Sequence, residues 1–301
     1  MQILGDKIEF LTKKLVGRIG VAAQEISTDR VISINADETF PMASTFKIAT
    51  AVALLELVDQ GKLSLDLYVE ITPDMMVAGP NPIVQNFIHP GVKLSVANLI
   101  EVMITESDNT AAEVCLELAG GPVAVTQMLK RIGISKQSID RYGTELLQDF
   151  YALPNKGYAA AVIEAMVKDP SLAAKIPNMN PTFERDSRDQ TSPNAMLDLL
   201  LAIDGGEVLT DTSRAFLLTA MTHTRTGNSR LKGLLPKGTP VAHKTGTLGG
   251  IANDVGFITL PDGRRYAIAV YTKGSTTREA DRERAIAEVS RAIFDYYYLN
   301  Q

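Results

Sequence analysis

The chain has 301 residues, 45% of them hydrophobic and 22% charged, with a formal net charge of −5. Such a composition suits a globular protein with a substantial core, and with no Lys/Arg block or basic stripe it excludes a nucleic-acid binder. The lone Cys115 excludes an internal disulfide, and one cysteine with three scattered histidines (His89, His223, His243) makes no zinc site.

No apolar run approaches the ~20 residues of a membrane span. The N-terminus lacks the charged, apolar and small-residue regions of a signal peptide, so the sequence reads as cytoplasmic or as a mature or trimmed form. Residues 19–23 and 31–34, separated by Ser27-Thr28-Asp29-Arg30, read as a β-hairpin. A strongly apolar stretch follows, from Ile48 to Val58, with Gly61 as a plausible stop. A helix apolar on nearly all sides belongs inside a domain. Turn formers then accumulate in Ala78-Gly79-Pro80-Asn81-Pro82 and His89-Pro90-Gly91.

Ser95 can cap a helix that places Val96, Leu99, Ile100 and Met103 on one face. A second helix is expected from about Thr110, closed by Gly120-Gly121-Pro122. Between Arg141 and Pro193 the pattern is weak: 159–167 reads as helix and 177–181 as loop. Helices are expected again at 195–203 and 214–221. Strands follow at 241–247, 255–260 and 266–271, the last two joined by Pro261-Asp262-Gly263. The final helix is expected to open with the capping box Thr276…Glu279 and to turn Ile286, Val289 and Ile293 inward. Strands at both ends with helices between them suggest one sheet built from both termini, with a helical region inserted.

Chemistry is concentrated where the buried helix begins. Ser44 and Lys47 stand three residues apart, so on a helix they share a face and the Lys47 amine can reach the Ser44 hydroxyl. A hydroxyl is a weak nucleophile until a base takes its proton, and a partly desolvated lysine can serve as that base. Taken alone, the pair reads first as an N-cap serine beside a snorkelling lysine, since so short a match is frequent by chance. Two further motifs change the balance: Ser107-Asp108-Asn109 and Lys244-Thr245-Gly246 follow in order.

With Ser44-Thr45-Phe46-Lys47 they form the trio of the serine β-lactamases and penicillin-binding proteins. From the first hairpin to the last helix the chain resembles that superfamily, and class A β-lactamases most of all. The resemblance implies an α/β fold with a five-stranded antiparallel sheet flanked by helices. The sheet region would comprise 1–43 and 237–301, and the helical region 44–236, with an extended omega-type loop at about 141–193. It implies a Ser44 acyl-enzyme, Lys47 as base, Ser107 as the relay to the leaving nitrogen, and Lys244 in support. The backbone N–H groups of Ser44 and Thr247 would form the oxyanion hole. Asn109 would hold the substrate amide, Thr245 and Thr247 its carboxylate, and Gly246 would admit the substrate backbone beside the edge strand. Arg230 matches the position of a carboxylate-binding guanidinium, or is an ordinary solvated arginine.

No cofactor and no metal are implied. The expected partner is a β-lactam or a D-alanyl-D-alanine peptide, with no nucleic acid and no membrane span. A monomer in the periplasm or outside the cell is implied by the resemblance. β-Lactam hydrolysis leads; a penicillin-inhibited D-alanyl-D-alanine carboxypeptidase and a β-lactam sensor or inactive scaffold are the alternatives.

The pattern departs at the loop. Class A enzymes open it with Arg-x-Glu, whose glutamate activates the hydrolytic water, whereas Asp140-Arg141-Tyr142-Gly143 has glycine there. Arg188-Asp189 resembles the closing end, so an Arg141–Asp189 ion pair across the neck is expected. Glu145 lies two residues late and either takes the role or is a solvated residue; Asp149 is a possible second anchor for the water.

Overall fold

The computed structural model describes residues 2–26, 28, 30–77, 81–87, 89, 91–153 and 179–300. The chain begins with α1 (Gln2–Thr12), then the hairpin β1 (Arg18–Glu25) and β2 (Val31–Ile34) and the short β3 (Phe40–Pro41). A 3₁₀ turn (Ala43–Phe46) runs straight into α2 (Lys47–Asp59). Next come β4 (Tyr68–Ile71), α3 (Pro82–Asn86), β5 (Val92–Ser95), α4 (Val96–Thr105), α5 (Asn109–Leu118), α6 (Gly121–Arg131) and α7 (Gly143–Phe150). After residue 178 follow α8 (Pro181–Glu184), β6 (Gln190–Thr191), α9 (Pro193–Asp204) and α10 (Asp211–Thr222). The chain ends in β7 (Val241–Leu248), β8 (Ile251–Thr259), β9 (Arg265–Lys273) and α11 (Glu279–Leu299).

The five long strands form one antiparallel sheet in the order β2-β1-β9-β8-β7, the α/β architecture expected. Pairing β1 with β9 joins the two ends of the chain, for instance Ala22 opposite Ala269 and Ala23 opposite Ile268. Because successive side chains point to opposite faces, the central strands feed two cores. Ala22, Ala267, Ala269 and Tyr271 face the helical core of α2, α4, α5, α9 and α10. Val21, Ala23, Ile268 and Val270 face α11, through Ile286, Val289, Ile293, Phe294 and Tyr297, and α1, through Leu4 and Ile8. β7 is a sheet edge, and it carries Lys244-Thr245-Gly246.

Helix boundaries follow the local chemistry. Ser95 caps α4 by accepting from Asn98 N at 3.2 Å, and buried Asp108 caps α5 by accepting from Ala111 N at 2.8 Å. α2 ends at Asp59, and Gly61 supplies the left-handed residue beyond it with φ of 69°.

The first 12 residues hold a helix, α1, laid on α11. Three expectations need correcting. Gly120 ends α5 with φ of 93°, but Gly121 and Pro122 already open α6. β8 starts at Ile251, four residues earlier than expected, because Asn253 and Asp254 are buried partners of other elements and so break the apolar run. No Thr276…Glu279 box caps α11: Arg278 is its N-cap without a side-chain bond, and Thr277 Oγ1 instead accepts from Val16 N at 2.9 Å. The expected helix at 159–167 lies outside the described residues.

Candidate active site

Ser44 sits in the 3₁₀ turn, half-buried, while its neighbours Ala43, Thr45 and Phe46 are buried. The turn is clamped from three directions. Met42 N donates to Asp189 O at 3.1 Å, and Asn253 Nδ2 on β8 donates to Pro41 O and Met42 O at 2.9 and 3.1 Å. Thr45 Oγ1 shares a 3.0 Å bond with Tyr271 OH. Ala43 is held at φ of 45°, a strained value for a residue with a Cβ. Gly246 on β7 lies against this turn: a Cβ there would stand 2.6 Å from Met42 O and 3.2 Å from Ser44 N. The close approach of strand and nucleophile turn is by itself a reason for glycine here.

Lys47, the first residue of α2, is fully buried. Its Nζ donates to Ser107 O at 2.6 Å and Asn109 Oδ1 at 2.8 Å, with longer contacts to Ser107 Oγ at 3.3 Å and Asp108 O at 3.4 Å. No hydrogen bond joins it to Ser44, as the three-residue spacing had suggested; the amine is turned to the Ser107 loop. Burial lowers its pKa to about 7, against the opposing pull of Asp108 and Glu113. A neutral amine has two N–H donors and one lone pair. The two short bonds occupy the donors, which leaves the lone pair free to accept a proton.

Ser107 is held at φ of 58° between α4 and α5, which presents its hydroxyl to both lysines. Lys244 Nζ donates to Ser107 Oγ at 2.9 Å and to Thr245 O at 2.9 Å. Burial first, then the charges of Lys47 and Arg230, push the Lys244 pKa well down, while Asp254 opposes them. Behind it, buried His243 Nδ1 and Asp254 Oδ1 lie 2.7 Å apart, tying β7 to β8.

Arg230 does not present an open guanidinium. It is 3% exposed; Nε donates to Glu283 Oε1 at 3.0 Å and Nη1 to Gly246 O and Asn253 O, both at 3.0 Å. Nη2 donates to Thr247 Oγ1 at 2.7 Å. Through Nη2 it is linked to Thr247, which is exposed at the site. Thr245 Oγ1 bonds Thr226 Oγ1 at 2.6 Å.

On the loop side, the Arg141–Asp189 pair is present: Nε and Oδ2 are 2.6 Å apart and both side chains 4% exposed. Asp149 Oδ2 accepts from Arg141 Nη1 at 2.6 Å and Arg188 Nη2 at 3.0 Å, so it helps to close the loop neck. Glu145 has the surroundings of the second of its two expected readings, a solvated residue. It is exposed, and its Oε2 accepts from Tyr142 N at 3.0 Å, the bond of an N-terminal helix cap on α7. α7 packs on the nucleophile turn through Leu146 and Phe150, in a cluster with Ala43, Leu248, Ile251 and Phe183.

Several contributors carry no motif: Asn253, Tyr271, Thr226 and, on α5, Glu113. Only Glu113 leaves a trace in the sequence, four residues beyond Asn109 and so on the same helical face.

A half-exposed serine one turn from a buried amine whose pKa is lowered to about 7, a second serine held by two lysines, and an edge strand alongside can together carry out acyl transfer through a serine. The chain belongs to the β-lactamase enzyme family, whose model matches residues 4–297. Relatives include β-lactamase VEB-1 of Pseudomonas aeruginosa, 32% identical across 97% of this chain and 89% of that protein. The extended-spectrum β-lactamase PER-1 of the same organism is 30% identical across 98% and 87%. Among solved structures, TLA-1 extended-spectrum β-lactamase superposes with a TM-score of 0.82 at 28% identity, covering 99% of each chain. A mutant of the last common ancestor of Gram-negative bacteria β-lactamase class A gives 0.81 at 33% identity, covering 99% of this chain and 100% of its own.

Proposed function

We propose that the protein is a class A-type serine β-lactamase that opens the lactam ring through a Ser44 acyl-enzyme. The observation that carries this is the convergence of Ser44, Lys47, Ser107 and Lys244 at one buried junction of sheet and helices, in a chain of the β-lactamase family.

Ser44 Oγ attacks the lactam carbonyl while the neutral Lys47 amine takes its proton, directly or through a water. The proton then passes through Ser107 Oγ, which touches both lysine amines, to the departing ring nitrogen. Ser44 N and Thr247 N stabilise the oxyanion; donors of this kind are each worth about 10²–10³ in rate. Asn109 Oδ1 is spent on Lys47, which leaves its Nδ2 to hold the substrate's side-chain amide. Arg230 donates to Thr247 Oγ1, so the hydroxyl's own proton is free to turn outward to the substrate carboxylate. Thr245 and the Lys244 amine complete that subsite.

No cofactor or metal enters the reaction. All these groups come from one chain, so the site needs no residue from a second copy. Among the described residues no helix is long and apolar enough to cross a membrane, and the family resemblance favours a periplasmic or secreted enzyme.

The test is turnover of a penicillin followed by loss of lactam absorbance. Many equivalents consumed per protein are expected. Consumption of one equivalent or none would overturn hydrolysis as the function.

A further inference from the structure

The open question at this site is which group activates the water that frees Ser44, because Gly143 has no side chain, Glu145 caps a helix in solvent and Asp149 is tied to two arginines. We propose that Glu113, on α5, is the deacylating carboxylate, reaching from the helix into the space that a side chain at 143 would fill. The proposal rests on the β-lactamase reading above and deepens it.

Three observations carry the inference. First, a Cβ built on Gly143 would lie 3.1 Å from Glu113 Oε1 and 4.0 Å from its Cδ, so the helix carboxylate occupies the room the glycine leaves. Second, Asn109 and Glu113 are one helical turn apart on α5, and Asn109 Oδ1 is bonded to Lys47 Nζ at 2.8 Å. The Glu113 carboxylate is thus on the face of α5 that Lys47 meets, and the two charges act on each other. Third, Thr144 N, in the first turn of α7, donates to Glu113 Oε1 at 2.5 Å. That bond fixes the carboxylate's orientation and couples α5 to the loop. Thr144 holds the carboxylate through its backbone N–H and its side chain, and the remaining acceptor positions of the two oxygens can take a water.

Burial supports the role as well. Desolvation raises the Glu113 pKa against the pull of Thr144 and Lys47, which makes it a stronger base than a solvated carboxylate.

The step balances without a further reactant. The water oxygen bonds to the acyl carbon as its proton passes to the Glu113 carboxylate. The tetrahedral species collapses, the bond from carbon to Ser44 Oγ breaks, and Ser44 takes the proton back from Glu113. Ring-opened acid leaves, and serine and carboxylate are restored. Moving the base from loop to helix is sterically coherent only with glycine at 143, since any side chain there would compete with the carboxylate for the same space.

The experiment is an intact-mass time course with a penicillin on the wild type, Glu113→Gln, Glu113→Asp and Glu145→Gln, with steady-state hydrolysis measured alongside. Glutamine keeps an oxygen that can accept from Thr144 N, so α5 and the loop stay joined. The expected result is that Glu113→Gln acylates within a few-fold of the wild-type rate, holds its adduct, and hydrolyses about 10²-fold more slowly or worse. Glu113→Asp, with its carboxylate withdrawn by one methylene, should lengthen the adduct lifetime about 10-fold or more and still turn over.

Glu113→Gln hydrolysing like the wild type would overturn the proposal. So would equal losses of acylation and deacylation, which would make Glu113 a brace for the loop, or accumulation in Glu145→Gln instead. Should Glu113→Gln not fold, an unchanged adduct lifetime in Glu113→Asp overturns it equally. A wild type that never acylates would overturn the β-lactamase reading itself, and this proposal with it.

Discussion

The nucleophile turn and the loop facing it hold their residues by different means. Around Ser44 the backbone itself is clamped: Asn253 Nδ2 grips two carbonyls, Gly246 brings β7 into contact with the turn, and Ala43 and Ser107 sit at positive φ. The loop side is held by side-chain charge, with Arg141 bonded to Asp189 and Asp149, and Arg188 to Asp149 and Asp186. A clamped backbone fixes where each side chain starts, so the identities at 44, 47, 107 and 244 are hard to exchange. A charge-tied loop fixes only its neck, so a carboxylate can be supplied from the loop or from the helix beneath it. The glycine at 143 and the glutamate at 113 are what that freedom allows.

This contrast can be broken at several points, most sharply at the nucleophile. Ser44→Ala should lower hydrolysis by on the order of 10⁶-fold, the scale of a lost nucleophile in a serine enzyme, and should leave thermal unfolding nearly unchanged. Lactam hydrolysis that persists in this variant would remove the clamped turn from the mechanism.

Lys47→Ala should slow acylation by about 10²–10⁴-fold with the fold intact. In the wild type the acylation rate should rise with pH through about 7, because only the neutral amine accepts the Ser44 proton. The same shift has a stability consequence. A lysine whose folded pKa lies below its unfolded value makes the folded state bind fewer protons, so stability climbs with pH between the two. The cost of burying Lys47 is therefore full below about 7 and fades as pH rises toward the ordinary 10.5. A stability-versus-pH comparison of the wild type with Lys47→Met should show the variant's advantage shrinking across that window; a constant difference would mean Lys47 is not held neutral.

Arg230→Ala should cost about 1.5–3 kcal/mol of stability, the range for hydrogen bonds to a charged group, because it frees Glu283 and two backbone carbonyls at once. Acylation should fall similarly for substrates with and without the carboxylate, since Arg230 acts through Thr247 and the strand. A loss confined to carboxylate-bearing substrates would mean that the guanidinium itself binds them.

The smallest effect belongs to the loop's exposed acid. Glu145→Ala should cost about 0.3–1.5 kcal/mol, as for other helix caps, seen as a small drop in midpoint on denaturant unfolding. A loss of several kcal/mol would mean Glu145 does more than cap α7.

Much of this was legible before any coordinates. The sheet, the buried helix after Ser44 and the three motifs follow from local patterns, apolar periodicity and short fixed spacings, which the sequence displays directly. The neck pair Arg141–Asp189 was legible for the same reason, since both ends of the loop match the resemblance. What was not legible depends on approach in space. Asn253 and Tyr271 read as ordinary strand residues until β8 and β9 are laid beside the turn at 40–46. Arg230 reads as solvated or substrate-binding until α11 supplies Glu283. Glu145 looked like the missing base because it is near 143 in sequence, whereas Glu113 is near it in space, 30 residues earlier by numbering. The helix face shared with Asn109 was the one available clue.

The central claim is that Ser44 forms an acyl-enzyme that this same site then hydrolyses. An intact-mass time course of the wild type with a penicillin, quenched at short intervals and followed by peptide mapping, tests it directly. The account predicts an adduct of the penicillin's full mass on the peptide containing Ser44 that appears early and disappears as substrate is exhausted, leaving unmodified protein. An adduct on another residue, or none at any time while the lactam is consumed, would contradict it.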